Sequence, residues 1–460
     1  MSKSSLEGLT RPIEGQSVFS PELPDYDFLR HCVRCARCLP ACPTYQETQL
    51  EVQSPRGRLS LIKAVEEGTL SFDASVEEHL YHCLDCRMCN TVCPAHVPVG
   101  ESILAARAAF GERLGRPWWR KVAFRHVLIS ADRLGWALWP VRIYQRVKLP
   151  RVVRPLLRLL PGRLSQLRQM EALLPTLPPR PLHRTVDVVI PAKGERQYRV
   201  GFFLGCMMSQ IFATESRASL EVLSGAGCEV VVPKGQVCCG SPQDDQGDRE
   251  HVRRFARTNI ALFEEFGEVD AIVSDCAACS GTLKEYGEIL HGDPDFSQRA
   301  RAFSAKVKDI YEWYDEILPP TIGTRVLPVS DSDSSANGFT YVTIHDACHL
   351  ANAQGVRSPQ RNLLRRIKSV RVKEMEEPSA CCGSAGIYNI THPGMANKRL
   401  ECKMKNIKAT GASVVVTNGP GCLLQLKAGV QDRKMNVQIR HISQLVKDAM
   451  DDESPAQGGH

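Results

Sequence analysis

Short apolar runs alternate with helix-patterned segments through the second half of the chain. The runs YRVGFF, CEVVV and DAIVS begin at positions 198, 228 and 270, and each is typical of a buried strand. A second set in the same order, FTYVTI, VRV and SVVV, begins at positions 339, 370 and 413. Strands that alternate with helices indicate parallel α/β sheets. We therefore predict two α/β domains, at residues 196–325 and 339–450.

Cysteines recur at equivalent positions of these two domains. Both domains contain a Cys-Cys-Gly triplet. In each, Cys276 or Gly419 lies just after the third strand, 37 positions after the second cysteine of the triplet. A further cysteine lies 40 positions after that same second cysteine. The domains are therefore an internal repeat, with thiols at the carboxyl ends of strands, where open sheets gather ligands. The paired positions are Cys206 and Cys348, Cys238 and Cys381, Cys239 and Cys382, Cys276 and Gly419, and Cys279 and Cys422.

Five thiols belong to the first repeat and four to the second, because Gly419 stands where a fifth would lie. Thiolates at strand ends and helix N-termini are stabilised by unpaired backbone N–H groups, so we predict that both sets bind metal. Gly240 and Gly383 allow the backbone to approach such a group closely. Cys228 and Cys402 fall outside the register and are interpreted as small apolar side chains. The predicted ligands are Cys206, Cys238, Cys239, Cys276, Cys279, Cys348, Cys381, Cys382 and Cys422.

The first hundred residues contain Cys-x2-Cys-x2-Cys-x3-Cys-Pro twice, in HCVRCARCLPACP and HCLDCRMCNTVCP. A zinc site, the alternative, needs only two Cys-x2-Cys pairs, whereas three cysteines at this interval cap three irons of a cubane. The fourth cysteine ligates the cluster of the other run. We therefore predict a ferredoxin-like domain at residues 26–112 with two [4Fe-4S] clusters. One set of ligands is Cys32, Cys35, Cys38 and Cys93, and the other is Cys83, Cys86, Cys89 and Cys42.

The segment between these two runs predicts a helix. Ser54 provides an N-cap, Pro55 occupies the first helical position, and apolar residues then recur at helical spacing. We interpret Arg56 and Arg58 as solvated residues of its first turn, the alternative being that they face an acidic partner.

Residues 113–195 are predicted to form a basic, amphipathic helical linker. From 113 to 184 there are 16 Lys and Arg against two acids, a net charge of 16 − 2 = +14, whereas the whole chain carries +7. Basic amphipathic helices bordered by Trp suit an anionic membrane surface. Packing of the helices on the other domains is an equal alternative, and nucleic acid, for which no module is present, is not an expected partner. Helix breaks are expected at Pro140, Pro150, Pro155 and Pro161.

Composition and the N-terminal residues indicate the cellular compartment of the protein. The 460 residues are 43% apolar and 24% charged, and no uninterrupted apolar run is long enough to span a bilayer. Residues 1–25 are polar and are expected to form a mobile arm rather than a secretory signal. We expect a cytoplasmic protein, with peripheral contact to the inner face of the cell membrane as an option. In the reducing cytosol the 19 cysteines favour metal binding over disulfides.

The sequence contains neither a Gly-x-Gly-x-x-Gly fingerprint after a strand nor a phosphate-binding loop. Hydride transfer from an alcohol belongs to flavin or nicotinamide cofactors. Such a step is therefore expected on another polypeptide.

Together the motifs resemble a known family, the iron-sulfur subunits of bacterial glycolate oxidase. The wider group includes heterodisulfide reductase subunits and anaerobic glycerol-3-phosphate dehydrogenase C subunits. The resemblance covers positions from about 30 to 445, apart from parts of 105–195 and the loop near 330. It is carried by CARCLPACPTYQE with SPRGR and LIK, by HCLDCRMCNTVCP, by HDACHLANAQGVR, and by ACCGSAGIYNITHPGMA with NGPGC.

The resemblance implies a mixed fold in which a ferredoxin-like domain and a helical linker precede two duplicated α/β Cys-Cys-Gly domains. It implies electron transfer from a separate flavin subunit, which oxidises a 2-hydroxyacid such as glycolate or D-lactate, to an acceptor for which quinone is a candidate. In heterodisulfide reductases the five-cysteine arrangement matched by the first repeat holds a noncubane [4Fe-4S] cluster. The departure at Gly419 leaves a cubane, a zinc ion or nothing for the second repeat.

Other functions remain as alternatives. One is a heterodisulfide-reductase-like subunit acting on a disulfide at its Cys-Cys-Gly cluster, against which the missing ligand at Gly419 weighs. The others are a glycerol-3-phosphate dehydrogenase C-type subunit and a zinc scaffold without enzymatic activity. His345 and His349 flank Cys348, but a lone histidine is more often hydrogen-bonded than a metal ligand.

Overall fold

The computed structural model describes residues 29–71, 73–151, 153, 176–323 and 339–451. Within these ranges an α-helical N-terminal unit precedes two mainly parallel sheets, as the predicted mixed fold requires. The arm predicted at 1–25 lies outside the described residues, as do Pro155 and Pro161 of the linker.

The N-terminal unit packs its helices around a small apolar core that includes Leu59, Ile62, Leu80, Ile103 and Phe110. Ser54 caps the helix predicted between the two cysteine runs, because its Oγ accepts a hydrogen bond of 2.9 Å from the Gly57 amide. That prediction is confirmed. The helices are Cys38–Ala41, Pro43–Thr48, Pro55–Glu66, Ala74–Tyr81, Met88–Val92 and Val99–Arg113, with a 3₁₀ turn at Glu51–Gln53.

The interpretation of Arg58 as a solvated residue was wrong. Its side chain is 1% exposed and donates hydrogen bonds to the Gln53 side chain at 2.8 Å and to the His79 carbonyl at 2.8 Å. A buried guanidinium needs several acceptors, and the loop before the helix and the neighbouring helix provide them. Arg56, by contrast, lies near the surface and pairs with Glu51.

The described part of the linker packs against the first sheet domain. Arg125 forms an ion pair of 2.8 Å with Asp248, and Gln243 donates hydrogen bonds to the Phe124 and Leu128 carbonyls. Pro140 lies in the first turn of the last of these helices, where proline is tolerated. The helices are Trp118–Val122, Ala131–Ala137 and Trp139–Arg146, with a π-helical turn at Ala123–Val127.

The first sheet has the order β1-β3-β2-β4-β5, and every pair is parallel except β1 with β3. Its strands are β1 Val189–Ile190, β2 Tyr198–Phe202, β3 Cys228–Val231, β4 Ala271–Ser274 and β5 Val307–Asp309. A 3₁₀ turn, Leu182–Arg184, precedes it. Its helices are Cys206–Gln210, Ala213–Gly225, Ser241–Asp245, Arg249–Glu264, Ala277–Lys284, Tyr286–Ile289, Ser297–Lys306 and Ile310–Ile317.

The second sheet is entirely parallel in the order β7-β6-β8-β9, which matches β3-β2-β4-β5 of the first. The topology agrees with the internal repeat. Its strands are β6 Thr340–Ile344, β7 Val370–Val372, β8 Val414–Val416 and β9 Gln438–Arg440. Its helices are Ser358–Arg366, Tyr388–Thr391, Pro393–Thr410, Pro420–Asp432 and Ile442–Met450, with a π-helical turn at His349–Ala353.

The two sheet domains pack on each other through equivalent elements. Helix Ala213–Gly225 contacts Ile442–Met450, and helix Ile310–Ile317 contacts Ser358–Arg366, so each domain offers the same two helices to the other. Such an interface, in which each domain contributes the same elements, has approximate two-fold symmetry. One apolar core runs through both domains. Buried polar contacts cross it as well, including Ser219 Oγ to Ser443 Oγ at 2.8 Å.

Candidate metal and cluster sites

Each cysteine run of the N-terminal unit lines a cavity, and the two cavities are adjacent. One is lined by Cys32, Cys35, Cys38 and Cys93, and the other by Cys42, Cys83, Cys86 and Cys89. Cys89 also contributes to the wall of the first cavity. Each group therefore combines three cysteines of one run with the last cysteine of the other.

Unusual backbone conformations let each run turn around its cavity. Arg34 and Ala36 in the first run have φ of 54° and 65°, and Asp85 and Arg87 at the equivalent positions of the second have φ of 46° and 56°. Non-glycine residues rarely adopt positive φ and do so most often at functional sites. The two runs thus share one strained geometry that directs their thiols inward.

The fourth cysteine of the first run is turned away from its own neighbours. Cys42 is in an extended conformation between two short helices, and Pro43 begins the second of them. The Cys42 Sγ lies 3.2 Å from the Thr44 Oγ1 in the wall of the second cavity. Buried Arg58, which lines the same cavity, donates to that Thr44 hydroxyl at 3.2 Å.

The thiols of the second cavity are more deeply buried than those of the first. Burial raises the pKa of the Cys83 thiol, although the positive charges of Arg58 and Arg107 act in the opposite direction. Burial likewise raises the pKa of Cys89 well above its usual range, with Cys83 and Cys42 adding to the effect. Cys35 in the first cavity is exposed. The two groups therefore differ in their access to solvent.

The five predicted thiols of the first sheet domain form one buried group. Cys206 contacts Cys238, which contacts Cys239, and Cys279 contacts Cys239 and Cys276. Hydrogen bonds from Cys238 and Cys279 lower the pKa of the Cys239 thiol to about 6. Five thiols, each in contact with the next, are a donor set for iron-sulfur clusters or zinc.

Three features of the surrounding structure hold this group. Gly240 has φ of 100°, and a Cβ there would lie 2.9 Å from Val252 Cγ1, so the Cys-Cys turn needs glycine. Tyr286 donates a hydrogen bond of 2.8 Å to the Cys239 carbonyl. The helix that begins at Ala277 is capped by Cys276, whose Sγ accepts from the Cys279 amide at 3.4 Å.

The four thiols of the second sheet domain are also brought together. Cys348 contacts Cys381, and the Sγ atoms of Cys382 and Cys422 are 3.5 Å apart. Gly383 has φ of 90°, and a Cβ there would lie 2.4 Å from the Ala396 carbonyl oxygen. Cys228 and Cys402 lie apart from both groups: Cys228 is fully buried in the core on β3, and Cys402 is half-buried on helix Pro393–Thr410.

Both histidines that flank Cys348 lie at this second group. His349 Nδ1 is 3.8 Å from the Cys348 Sγ. A ring nitrogen of His345 and the Sγ atoms of Cys382 and Cys422 all lie within 4.8 Å of one another. His345 is 1% exposed, and neither ring nitrogen has a hydrogen bond of ordinary geometry to any described residue. Burial and the nearby positive charge of Lys403 hold the pKa of His345 well below its usual range, and the Pro378 carbonyl acts in the opposite direction.

The second cavity of the N-terminal unit abuts the second sheet domain. Cys86 packs with Leu84, Cys381, Tyr388 and Ala396 in one apolar cluster. The pKa of the Cys86 thiol is raised well above its usual range by burial and by the nearby Cys381 and Cys348. The two thiol groups are therefore neighbours across the domain boundary.

Hydrogen bonds fix this boundary. Asn352 donates to the Cys86 carbonyl at 3.0 Å, and Asp85 pairs with buried Arg87 at 2.6 Å and with His349 at 3.5 Å. Although burial opposes ionisation, Arg87 and His349 hold the pKa of Asp85 down to about 2. The carboxylate is thus ionised between two cationic partners.

Sequence reasoning missed several residues of these sites. Arg58 and Arg107 supply buried positive charge beside the second cavity, and Lys403 is buried near the thiols of the second sheet domain. Lys403 falls on the apolar face of its helix, between Ala396, Leu400 and Ile407. A lone cation on an apolar helical face was the available signal, because burying it requires a partner.

Three protein-family models match four regions of the chain. Residues 28–97 match a 4Fe-4S dicluster domain, residues 200–284 and 342–427 each match a cysteine-rich domain, and residues 115–174 match the linker region of the glycolate oxidase iron-sulfur subunit.

Comparison with curated proteins identifies long matches. The probable glycolate oxidase iron-sulfur subunit of Bacillus subtilis is 38% identical over 94% of this chain and 96% of its own length. The chain belongs to the family of glycolate oxidase iron-sulfur subunits. The Escherichia coli glycolate oxidase iron-sulfur subunit is 28% identical over 92% of this chain and 95% of its own length. Lactate utilization protein A of Oceanobacillus iheyensis is 28% identical over 54% of this chain and 96% of its own length.

Membership confirms the predicted family and mixed fold, and the matched dicluster and cysteine-rich domains indicate iron-sulfur clusters. As an iron-sulfur subunit of an oxidoreductase of hydroxyacids, the chain carries iron-sulfur clusters. Among the helices that the structure describes, none is long and apolar enough for a membrane crossing.

Proposed function

We propose that this chain transfers electrons within a flavin-dependent 2-hydroxyacid dehydrogenase that oxidises glycolate or D-lactate. The names of its relatives, glycolate oxidase iron-sulfur subunit and lactate utilization protein A, support this substrate class. The flavin belongs to a partner subunit, because the sequence lacks a dinucleotide fingerprint and hydride chemistry requires such a cofactor. Quinone is the proposed acceptor.

One observation carries the proposal: the two four-cysteine cavities of the N-terminal unit share the wall formed by Cys89. When bound, iron-sulfur clusters accept and donate single electrons. Sites that share a wall suit stepwise transfer, and the exposed first site offers a point of contact to a partner while the second faces the sheet domains.

The proposed ligands follow the geometry. Cys32, Cys35, Cys38 and Cys93 hold one cubane, and Cys83, Cys86, Cys89 and Cys42 hold the other. The first Cys-Cys-Gly domain holds a third, noncubane cluster on its five-thiol group. Support comes from the burial of four of these thiols and from the contacts that link all five. Each of the two cubanes then has four thiolate ligands, the number that a [4Fe-4S] cluster requires.

Anaerobic reduction tests the proposal. Glycolate or D-lactate added to the complex of this chain with its flavin partner should bleach the visible absorbance of the clusters and produce the EPR signal of reduced [4Fe-4S]. This chain alone should not respond, because it lacks the flavin. Cys89→Ser in the complex should diminish cluster reduction and leave dye reduction at the flavin unaffected.

Two outcomes would count against this function. In the first, hydroxyacid fails to reduce clusters that dithionite reduces in the same sample. In the second, the chain without a flavin partner reduces a disulfide with a viologen donor, which would favour the heterodisulfide-reductase-like alternative.

We also propose that the linker attaches the complex to an anionic membrane surface. Trp139, Ile143 and Val147 recur at i, i+4 and i+8 and are 60%, 40% and 62% exposed. Exposed Arg146, Lys148 and Arg151 accompany them. An apolar helical face bordered by cations suits shallow insertion among anionic lipids. Other cations of the linker serve packing: Arg142, for example, donates to the Gln210 side chain at 2.7 Å.

Vesicle binding tests this attachment. The complex should co-sediment with anionic vesicles at low salt, and the triple variant Arg146→Gln, Lys148→Gln, Arg151→Gln should bind more weakly. Each charge contributes about 1 kcal/mol near such a surface, so three give a loss of roughly 100-fold at most. The matched control, Lys405→Gln, Lys408→Gln, Lys434→Gln, removes equal charge from exposed positions elsewhere. Equal binding by both variants, or binding to neutral vesicles, would leave the linker as a packing element only.

A further inference from the structure

Beside the thiol group, the two repeats carry different residues at two equivalent positions. The first repeat has Phe203 and Cys276, and the second has His345 and Gly419 at the equivalent places. Backbone hydrogen bonds verify the alignment: the Phe203 amide donates to the Val273 carbonyl at 2.8 Å, and the His345 amide donates to the Val416 carbonyl at 3.0 Å. Where the second repeat loses a thiol, it therefore gains an imidazole one strand away.

The imidazole takes over the contacts of the missing thiol. In the first repeat Cys276 lies beside Cys279 and Cys239. Their equivalents are Cys422 and Cys382, whose Sγ atoms lie within 4.8 Å of a His345 ring nitrogen. A Cβ at Gly419 would lie only 3.1 Å from the Cys422 Sγ. A side chain at position 419 would therefore crowd the Cys422 thiol.

We propose that His345, Cys382 and Cys422 bind a single zinc ion in the second Cys-Cys-Gly domain. Ligand atoms on one ion lie close together, whereas the thiolates of a cubane each bind a different iron. Zinc bonds of about 2.0–2.3 Å in tetrahedral geometry place ligand atoms roughly 3.3–3.8 Å apart. The 3.5 Å between the Cys382 and Cys422 Sγ atoms fits one shared ion.

The chemistry of the surroundings agrees with zinc. Two thiolates and an imidazole are a borderline-soft donor set that zinc accepts in closed, structural sites. Cys381, whose thiol contacts that of Cys382 but lies outside the three-ligand group, is the proposed fourth ligand. His345 is buried, and neither ring nitrogen is committed to a hydrogen bond of ordinary geometry among the described residues, so one is available to the ion. The inference does not depend on the substrate of the complex.

Zinc content of the full chain tests the inference. Anaerobically purified wild-type protein should contain about one zinc per chain beside its iron. His345→Ala should weaken zinc binding in a chelator competition by at least tenfold, since even outer-shell partners of zinc contribute 10–100-fold. His345→Cys, which keeps a donor, should retain the ion. Cobalt substituted at the site should show tetrahedral d–d bands that shift in His345→Cys.

His349→Ala is the matched control, because His349 flanks the same cysteine but lies beside Cys348 and Asp85 rather than in the three-ligand group. It should retain zinc. Iron content of the remaining sites shows whether a variant is folded. The inference is overturned if wild-type protein holds no zinc, if His345→Ala binds zinc as tightly as wild type, or if His349→Ala loses it equally.

Discussion

Replacement of Cys42 by serine should remove the cluster that Cys83, Cys86 and Cys89 hold, and leave the cluster nearest to it in sequence. The physical reason is the extended backbone at Cys42, which lies between two short helices and directs its thiol into the second cavity. A serine oxygen is a poorer iron ligand than a thiolate. The expected loss is about four irons, the content of one [4Fe-4S] cluster.

Double variants decide which cluster is lost. Cys42→Ser combined with Cys86→Ser should lose no more iron than either change alone, because both act on one cluster. Cys42→Ser combined with Cys35→Ser should lose about eight irons, because the two changes act on separate clusters. Iron and EPR measurements after anaerobic purification give the comparison. The opposite pattern, additive with Cys86 and non-additive with Cys35, would refute the crossed ligand sets.

Solvent access gives an independent check on the surviving cluster. Cys35 is exposed, whereas Cys83, Cys86 and Cys89 are only partly accessible at the domain boundary. The cluster left in Cys42→Ser should therefore react faster with an iron chelator than the one left in the reciprocal variant, Cys35→Ser, which removes a ligand of the exposed cluster.

The fold was predictable where the signal is local. Strands such as DAIVS and SVVV are short apolar runs, and the cysteine register links the two repeats without any knowledge of tertiary contacts. Strands β5 and β9 were not predicted, because VKD and QIR are three residues long and contain charged or polar residues. At the sheet edge such segments pair through their backbones, which side-chain patterns do not reveal.

The candidate sites were predictable in their cysteines and not in their surroundings. Spacing alone groups the thiols, since ligands on one turn are close in sequence. The proposed role of His345 depends on the thiol missing at Gly419, which is 74 positions away in the sequence (419 − 345 = 74), and the two strand ends come together only when β6 and β8 pair. The burial of Arg58 likewise depends on the His79 carbonyl of a neighbouring helix. Predictions made for one residue from its sequence neighbours therefore failed where the residue's contacts lie far away in the sequence.

Arg107 should be among the residues on which the stability of the assembled chain depends most. It is 1% exposed on helix Val99–Arg113 and donates to the Cys83 carbonyl at 2.6 Å and to the Leu80 carbonyl at 2.9 Å. It also donates to both the carbonyl and the carboxylate of Asp245 at 2.8 Å. One guanidinium thus joins the second cysteine run to the first sheet domain.

Arg107→Met should destabilise the chain by about 3–5 kcal/mol, the usual cost of removing one member of a buried ion pair. The remaining acceptors would be buried without a donor, and methionine fills the apolar volume without replacing the hydrogen bonds. Thermal unfolding and limited proteolysis should both detect the loosened boundary, and chelators should remove the adjacent cluster faster. Arg113→Met, an exposed position of the same helix, is the matched control and should change stability by less than about 0.5 kcal/mol.

The partner at Asp245 refines this prediction. Asp245→Asn keeps the shape of the acceptor and removes its charge, so it should cost less than Arg107→Met and should add little in the double variant, because both changes act on the same contact. Full additivity would mean that Arg107 acts mainly through the Leu80 and Cys83 carbonyls, which hold the cysteine run itself. A midpoint of unfolding for Arg107→Met equal to that of Arg113→Met would contradict the structural role altogether, since a guanidinium buried among four acceptors cannot be removed without leaving them unsatisfied.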